Sequence, residues 1–178
     1  MTRALVPALL LAAAAPAAAG VMAAAPDGFT LRFEGVAPRP PAETWAALAD
    51  WGGWWPDAHT HSGKAANLAF EAEADGELEE EWEGGSASHG EVVLAMPPKL
   101  LRMHAAFGPL QALPVKGLLE FQLAPEGQGT RITMTYRVGG PFTARLGTLA
   151  GPVDAVFAEA FAQLLAHTPP VPPATEEK

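Results

Sequence analysis

The residues most able to do chemistry are a few acids and histidines whose positions disagree with their polarity. Residues 77–83 read ELEEEWE, and a period of two puts Glu80 with Leu78 and Trp82, opposite Glu77, Glu79, Glu81 and Glu83. The second set is a solvated outer face. Glu80 falls on the apolar face, where a carboxylate is costly unless it is paired, hydrogen-bonded or protonated. It therefore reads as a general base, as an anchor for a polar ligand head, or as a residue turned outward by a local bulge.

Histidine supplies the partners. His59 and His61 are two apart and share a face of an extended segment, while His89 shares strand parity with Ala87, Glu91 and Val93. His104, in step with Arg102 and Ala106, reads as surface. Zinc accepts imidazole and carboxylate, so a site can be drawn from His59, His61, His89 and Glu80, but no tight motif such as H-E-x-x-H supports it. The plainer expectation is no metal, with these groups lining one polar end of a pocket. Asp154 falls on an apolar helical stripe, either as a cavity acid or, the favoured reading, as a cap two residues after Pro152. Trp45, Trp54 and Trp55 suit either core packing or stacking on a ring-bearing ligand.

Other chemistries are excluded by composition. The 178 residues include no cysteine, which removes disulfides, thiolate catalysis and Cys-based metal sites. A net charge of −9 offers no basic footprint for nucleic acid. There is no glycine-rich phosphate loop and no G-x-S-x-G nucleophile elbow, so no cofactor is expected and nucleophilic hydrolysis has no support.

The elements that must position these residues follow from periodicity. Residues 1–25 carry Arg3, an alanine-rich apolar run and two A-x-A junctions, at Ala19 and Ala25, the three-part pattern of a secretory signal peptide. Pro26 after the second junction favours the first. The expected location is the periplasm or the exterior, with no stable membrane insertion once the segment is cleaved. Loss of Arg3 takes the net charge to −10. Residues 168–178, TPPVPPATEEK, read as a solvated tail, which leaves one domain over residues 26–167.

Within that domain, residues 29–37 alternate as a strand, and residues 42–50 form a short helix after a proline start, followed by a helical turn around Trp51–Trp55. Six further strands are expected, at 68–75, 78–83, 88–96, 100–107, 115–123 and 130–138, separated by Gly, Pro and Asp-Gly turns. A long apolar helix is expected over 145–167, kinked or restarted at Gly151-Pro152. The class is α+β: an antiparallel sheet with helices on one side.

This order resembles the START-like helix-grip, or SRPBCC, superfamily, and most closely its polyketide cyclase/dehydrase or chaperone-ATPase-activator-homologue branch. The residues that carry the resemblance are PAETWAAL (41–48), WWPDAHTHSG (54–63), ADGELEEEWEGG (74–85), HGEVV (89–93), GPLQ (108–111) and GTRITMTYRVGG (129–140). It implies a curved antiparallel sheet of about seven strands wrapped around the long C-terminal helix, with a cavity between them for a small hydrophobic molecule. Because this fold hosts carriers, cyclases and chaperone cofactors alike, the function it implies is coarse. Expected apolar lining is Trp55, Phe70, Met103 and Phe121, with Met134, Tyr136, Phe157 and Phe161; the expected polar anchors are His59, Glu80 and His89. The alternative is a cyclase- or dehydratase-type enzyme using Glu80 and a histidine, His89 or His59, as acid–base pair. A chaperone-activating role conflicts with export, because the cytosolic chaperone and its ATP lie on the other side of the membrane. No protein partner is indicated.

Overall fold

In the computed structural model, residues 18–169 are described; the start of the signal pattern and most of the expected tail fall outside them. Phe29, Leu31 and Phe33 alternate with polar neighbours, and they form the inward face of a strand, Gly28–Ala37. Each following run with the same period adds an antiparallel neighbour. The result is one eight-stranded sheet. In chain order its strands are β1 (Ala18–Ala25), β2 (Gly28–Ala37), β3 (Leu68–Phe70), β4 (Glu77–Trp82), β5 (Gly85–Met96), β6 (Leu100–Ala105), β7 (Lys116–Glu126) and β8 (Gly129–Gly139). Their spatial order is β1-β2-β8-β7-β6-β5-β4-β3.

The expected strand count was about seven, and β1 is the addition. It is built from the alanines at the end of the signal pattern and joins β2 through a two-residue turn, with Ala25 opposite Gly28 and Gly20 opposite Arg32. An alanine run carries no alternation, so periodicity gives no hint of it. A second difference is β3, which stops at Phe70 instead of running to residue 75. Asp75 there adopts a left-handed φ of 67° that a continuing strand would not allow.

Two short helices, α1 (Pro41–Ala49) and α2 (Trp51–Trp54), follow β2 as expected. Trp51 becomes the hub of the core: it is 1% exposed, with Trp54 at 4.5 Å, Phe70 at 5.2 Å and Phe121 at 6.0 Å between ring centroids. The long helix α3 spans Ala150–Ala166. Its expected start at 145 is replaced by two short 3-10 turns, Phe142–Ala144 and Leu146–Thr148, hinged on Arg145 in the left-handed region at φ 52°. Pro152 sits in the first turn of α3, where its missing N–H costs nothing. Phe157, Ala160, Phe161 and Leu164 face the sheet.

The far end of α3 is held by a buried cation. Arg39 donates from its two terminal nitrogens to the Leu164 and Leu165 carbonyls, at 2.7 and 3.2 Å. Its own carbonyl accepts from Thr130 Oγ1 at 2.8 Å. These carbonyls would otherwise be orphaned at the helix C-terminus. Arg39→Leu is expected to lower the unfolding free energy by about 2 kcal/mol, a loss of several degrees in Tm measurable by thermal melting.

Candidate functional site

The site is built on a bulge. Along β4 and β5, Leu78 pairs with Gly90, but Glu79 pairs with Ser88 and Glu80 with Ala87, so His89 is the extra residue. A bulge re-aims the side chain it carries. His89 is turned inward at 6% exposure, while Glu91 and Val93, assigned to its face by parity, point to solvent. After this bulge Val92 lies in the core opposite Met103, and a second register shift follows it, between Val92 and Leu94.

Glu80 is inward and fully buried. One carboxylate oxygen accepts the Ser62 N–H at 2.6 Å; the other accepts the His61 N–H at 3.0 Å and lies 3.0 Å from His89 Nε2. Burial alone would raise its pKa, but the donors of Ser62, then the His61 N–H and the His89 ring, outweigh it and hold the group down at about 2. Glu80 is therefore an ionised, satisfied carboxylate, ruling out the outward-turned reading. Burial pushes the His89 imidazole below the ordinary histidine range, against the opposing pull of Glu80.

The histidine that joins this network is His61, which was not among the expected anchors. The His61 ring stacks on His89 at 5.6 Å and on Trp82 at 6.1 Å, and its Nε2 lies 2.7 Å from Gln111 Oε1. His59 turns the other way and sits 3.5 Å from Glu159 on α3. The 3-10 turn Asp57–His59 is responsible: it replaces the extended segment in which the two histidines would share a face. His59 thus leaves the drawn zinc site while Glu80, His61 and His89 stay together, and among the described residues no three His, Asp or Glu side chains are placed to hold a metal ion. His104 is exposed, as expected.

Beside this network lies a cavity of about 300 Å³. Its walls are Trp55, Phe107, Pro109 and the first half of α3, through Leu149, Pro152, Val153, Val156 and Phe157. His59, His61 and His89 supply its polar edge, and residues 58–61 pass over it. The Trp55 indole donates to the His59 carbonyl at 3.1 Å, which pins that segment. Inward, the cavity ends on aromatic packing: Tyr136 stacks on Phe157 at 4.9 Å and donates to the Ala105 carbonyl at 3.0 Å. The close approach needs Gly117, because a Cβ there would lie 2.0 Å from that carbonyl and 2.7 Å from the Tyr136 hydroxyl.

The cavity is therefore smaller and nearer the rim than expected. Trp55, His59, His89 and Phe157 border it. Met103, Phe121, Met134 and Phe161 do not; they are buried in the packed core, because the tryptophans of α2 and the phenylalanines of α3 fill the space between sheet and helix. Phe70 packs on Trp51, Tyr136 backs Phe157, and Glu80 stands behind His89. Phe107, Leu149, Val153 and Val156 were missed, although an apolar residue before Gly108-Pro109 and the apolar first turns of the long helix were visible in the sequence. Asp154 does not cap: the first turn of α3 holds no acid, and one Asp154 oxygen is buried with no hydrogen-bond partner. Burial raises its pKa.

Residues 29–167 match the family described as polyketide cyclase / dehydrase and lipid transport. No curated protein matches the chain. Solved structures share its fold. CalU16 from Micromonospora echinospora is 17% identical with a TM-score of 0.55, over 83% of this chain and 82% of that one. A protein from Rhodobacter sphaeroides is 21% identical with a TM-score of 0.59, over 84% and 96%. DynU16, from the dynemicin biosynthetic locus, is 17% identical with a TM-score of 0.53, over 77% of this chain and 46% of that one.

Proposed function

The chain belongs to the polyketide cyclase / dehydrase and lipid transport family, and from that premise we propose that it is an exported protein binding a small, largely apolar molecule in the cavity beside His89. The observation that carries this is the cavity itself: apolar walls from Trp55, Phe107, Val153, Val156 and Phe157, with imidazoles along one edge. A space of about 300 Å³ is at the small end of ligand sites, and a few polar groups on apolar walls is the usual composition of such sites.

Export rests on the N-terminal pattern, and β1 bears on where cleavage falls. Cleavage after Ala19 leaves Gly20–Ala25 paired with β2; cleavage after Ala25 removes the strand altogether. Mass spectrometry of protein purified from its own cell tests both parts. The denatured mass is expected to begin at Gly20, and the native mass to carry a small organic molecule that solvent extraction releases. A full-length chain, or a native mass without any adduct across growth conditions, would overturn the respective part.

A second reading is favoured by one contact, the buried carboxylate–imidazole pair of Glu80 and His89 with His89 on the cavity edge. A carboxylate-backed imidazole can act as general acid and base, the chemistry a cyclase or dehydratase would call on. In that reading His89 exchanges the proton with the ligand and Glu80 balances the charge. It requires conversion of the recovered molecule, lost in His89→Gln; a molecule returned unchanged leaves binding alone.

A further inference from the structure

Gln111 closes a hydrogen-bond circuit around His89 whose polarity can be worked out atom by atom. It sits in the 3-10 turn Gly108–Ala112, beyond the end of β6. Its Nε2 donates to the Ser88 carbonyl at 3.1 Å and lies 3.4 Å from His89 Nδ1, while its Oε1 lies 2.7 Å from His61 Nε2. The Ser88 carbonyl can only accept, so the NH2 end of the amide must face it. Its other hydrogen then points at His89 Nδ1, which has to be the acceptor. The single ring proton of neutral His89 is left on Nε2, where the Glu80 carboxylate takes it at 3.0 Å. The Gln111 oxygen correspondingly requires a proton on His61 Nε2. Turning the amide over would set its oxygen against the Ser88 carbonyl, two acceptors about 3 Å apart.

We propose that Gln111 is a positioning residue: anchored on the Ser88 carbonyl, it fixes His89 as the Nε2–H tautomer and keeps Nδ1 as a hydrogen-bond acceptor at the edge of the cavity. Glu80 alone would allow His89 to be doubly protonated; the amide hydrogen facing Nδ1 opposes this. Resting on the binding reading above, the matching ligand group is a donor, an alcohol, phenol or enol O–H, which takes over the place of the amide hydrogen at Nδ1.

Other groups also act on this ring. Glu80 from β4 and His61 from the covering segment act on it directly; Glu77 on β4, Glu91 on its own strand, His104 on β6, Lys116 on β7 and His59 on the covering segment line the spaces that His89 borders. The test therefore changes Gln111 alone and reads the ring directly, on ligand-free protein, so that it stands whether or not a ligand is found. Long-range 1H–15N spectra of the imidazoles are expected to show His89 as the Nε2–H tautomer at neutral pH. In Gln111→Glu the new carboxylate accepts from Nδ1, and the His89 titration midpoint is expected to rise by about one pH unit or more. In Gln111→Ala the midpoint is expected to rise less, with circular dichroism unchanged in both. An Nδ1–H tautomer in the unaltered protein, or midpoints in both variants equal to the unaltered one, would overturn the proposal.

Discussion

Glu80→Ala is expected to cost about 3–5 kcal/mol of unfolding free energy, because each buried donor left without an acceptor costs about 1–3 kcal/mol. Glu80 is the shared acceptor for two backbone N–H groups and a ring N–H, so its loss orphans all three inside the protein. Glu80→Gln keeps the shape but can present only one oxygen, and is expected to cost about half as much. The effect carries a pH signature. The folded pKa of Glu80 is depressed from 4.5 to about 2, so its contribution is complete above about pH 4.5 and is lost as pH falls toward 2. A displacement of that size corresponds to about 3 kcal/mol. His89 adds a separate window. Its folded pKa is also lowered, so the neutral ring favours the folded state above its unfolded value of 6.5, and that contribution declines as pH drops below it. Denaturant melts at pH 7, 5 and 3 should show the difference between the unaltered protein and Glu80→Gln clearly smaller at pH 3 than at pH 5. A difference that is the same at all three would mean that the carboxylate is not ionised in the fold.

Glu80 was legible in the sequence because β4 keeps a strict period of two across its whole length. His89 was legible as a candidate, but not its face, because parity fails at a bulge; Gly90 beside it, an isolated glycine inside a strand pattern, is the signal that could have marked one. The choice between His59 and His61 turned on three residues of 3-10 helix after Pro56, whose φ and ψ no alternation records. The fold class survived these local errors, since each of β2, β4, β7 and β8 announces itself by residues that must face a core. Two features escaped for opposite reasons. β1 has five alanines among its eight residues, and its two large side chains, Val21 and Met22, are adjacent, so no alternation shows a face. The space beneath α3 was overestimated because counting apolar residues says how many are buried, while whether they leave a cavity depends on how closely they pack. Here the rings of Trp51, Trp54, Phe121 and Phe161 close the middle, and the cavity survives only where α3 begins.

That location makes the decisive test of ligand binding a change in volume at the first half of α3. Val156 borders the cavity yet is only half buried, so enlarging it does not force the core apart. Val156→Trp places an indole in a space of about 300 Å³. It is expected to weaken binding of the molecule recovered with the protein, or of an environment-sensitive naphthalene dye, by about 100-fold or more, with Tm moving by only a few degrees. Phe157→Ala acts in the opposite sense: it opens the inner wall, but removes the ring that stacks on Tyr136 and contacts Trp55 and Phe107. Its stability cost is expected at about 3–5 kcal/mol, so binding must be read well below its melting temperature. The pair separates a ligand held in this cavity from one held elsewhere. Occlusion at Val156 must abolish binding while the fold remains; if Val156→Trp binds as tightly as the unaltered chain, the ligand does not occupy the space beside His89, and the imidazole edge has no part in holding it.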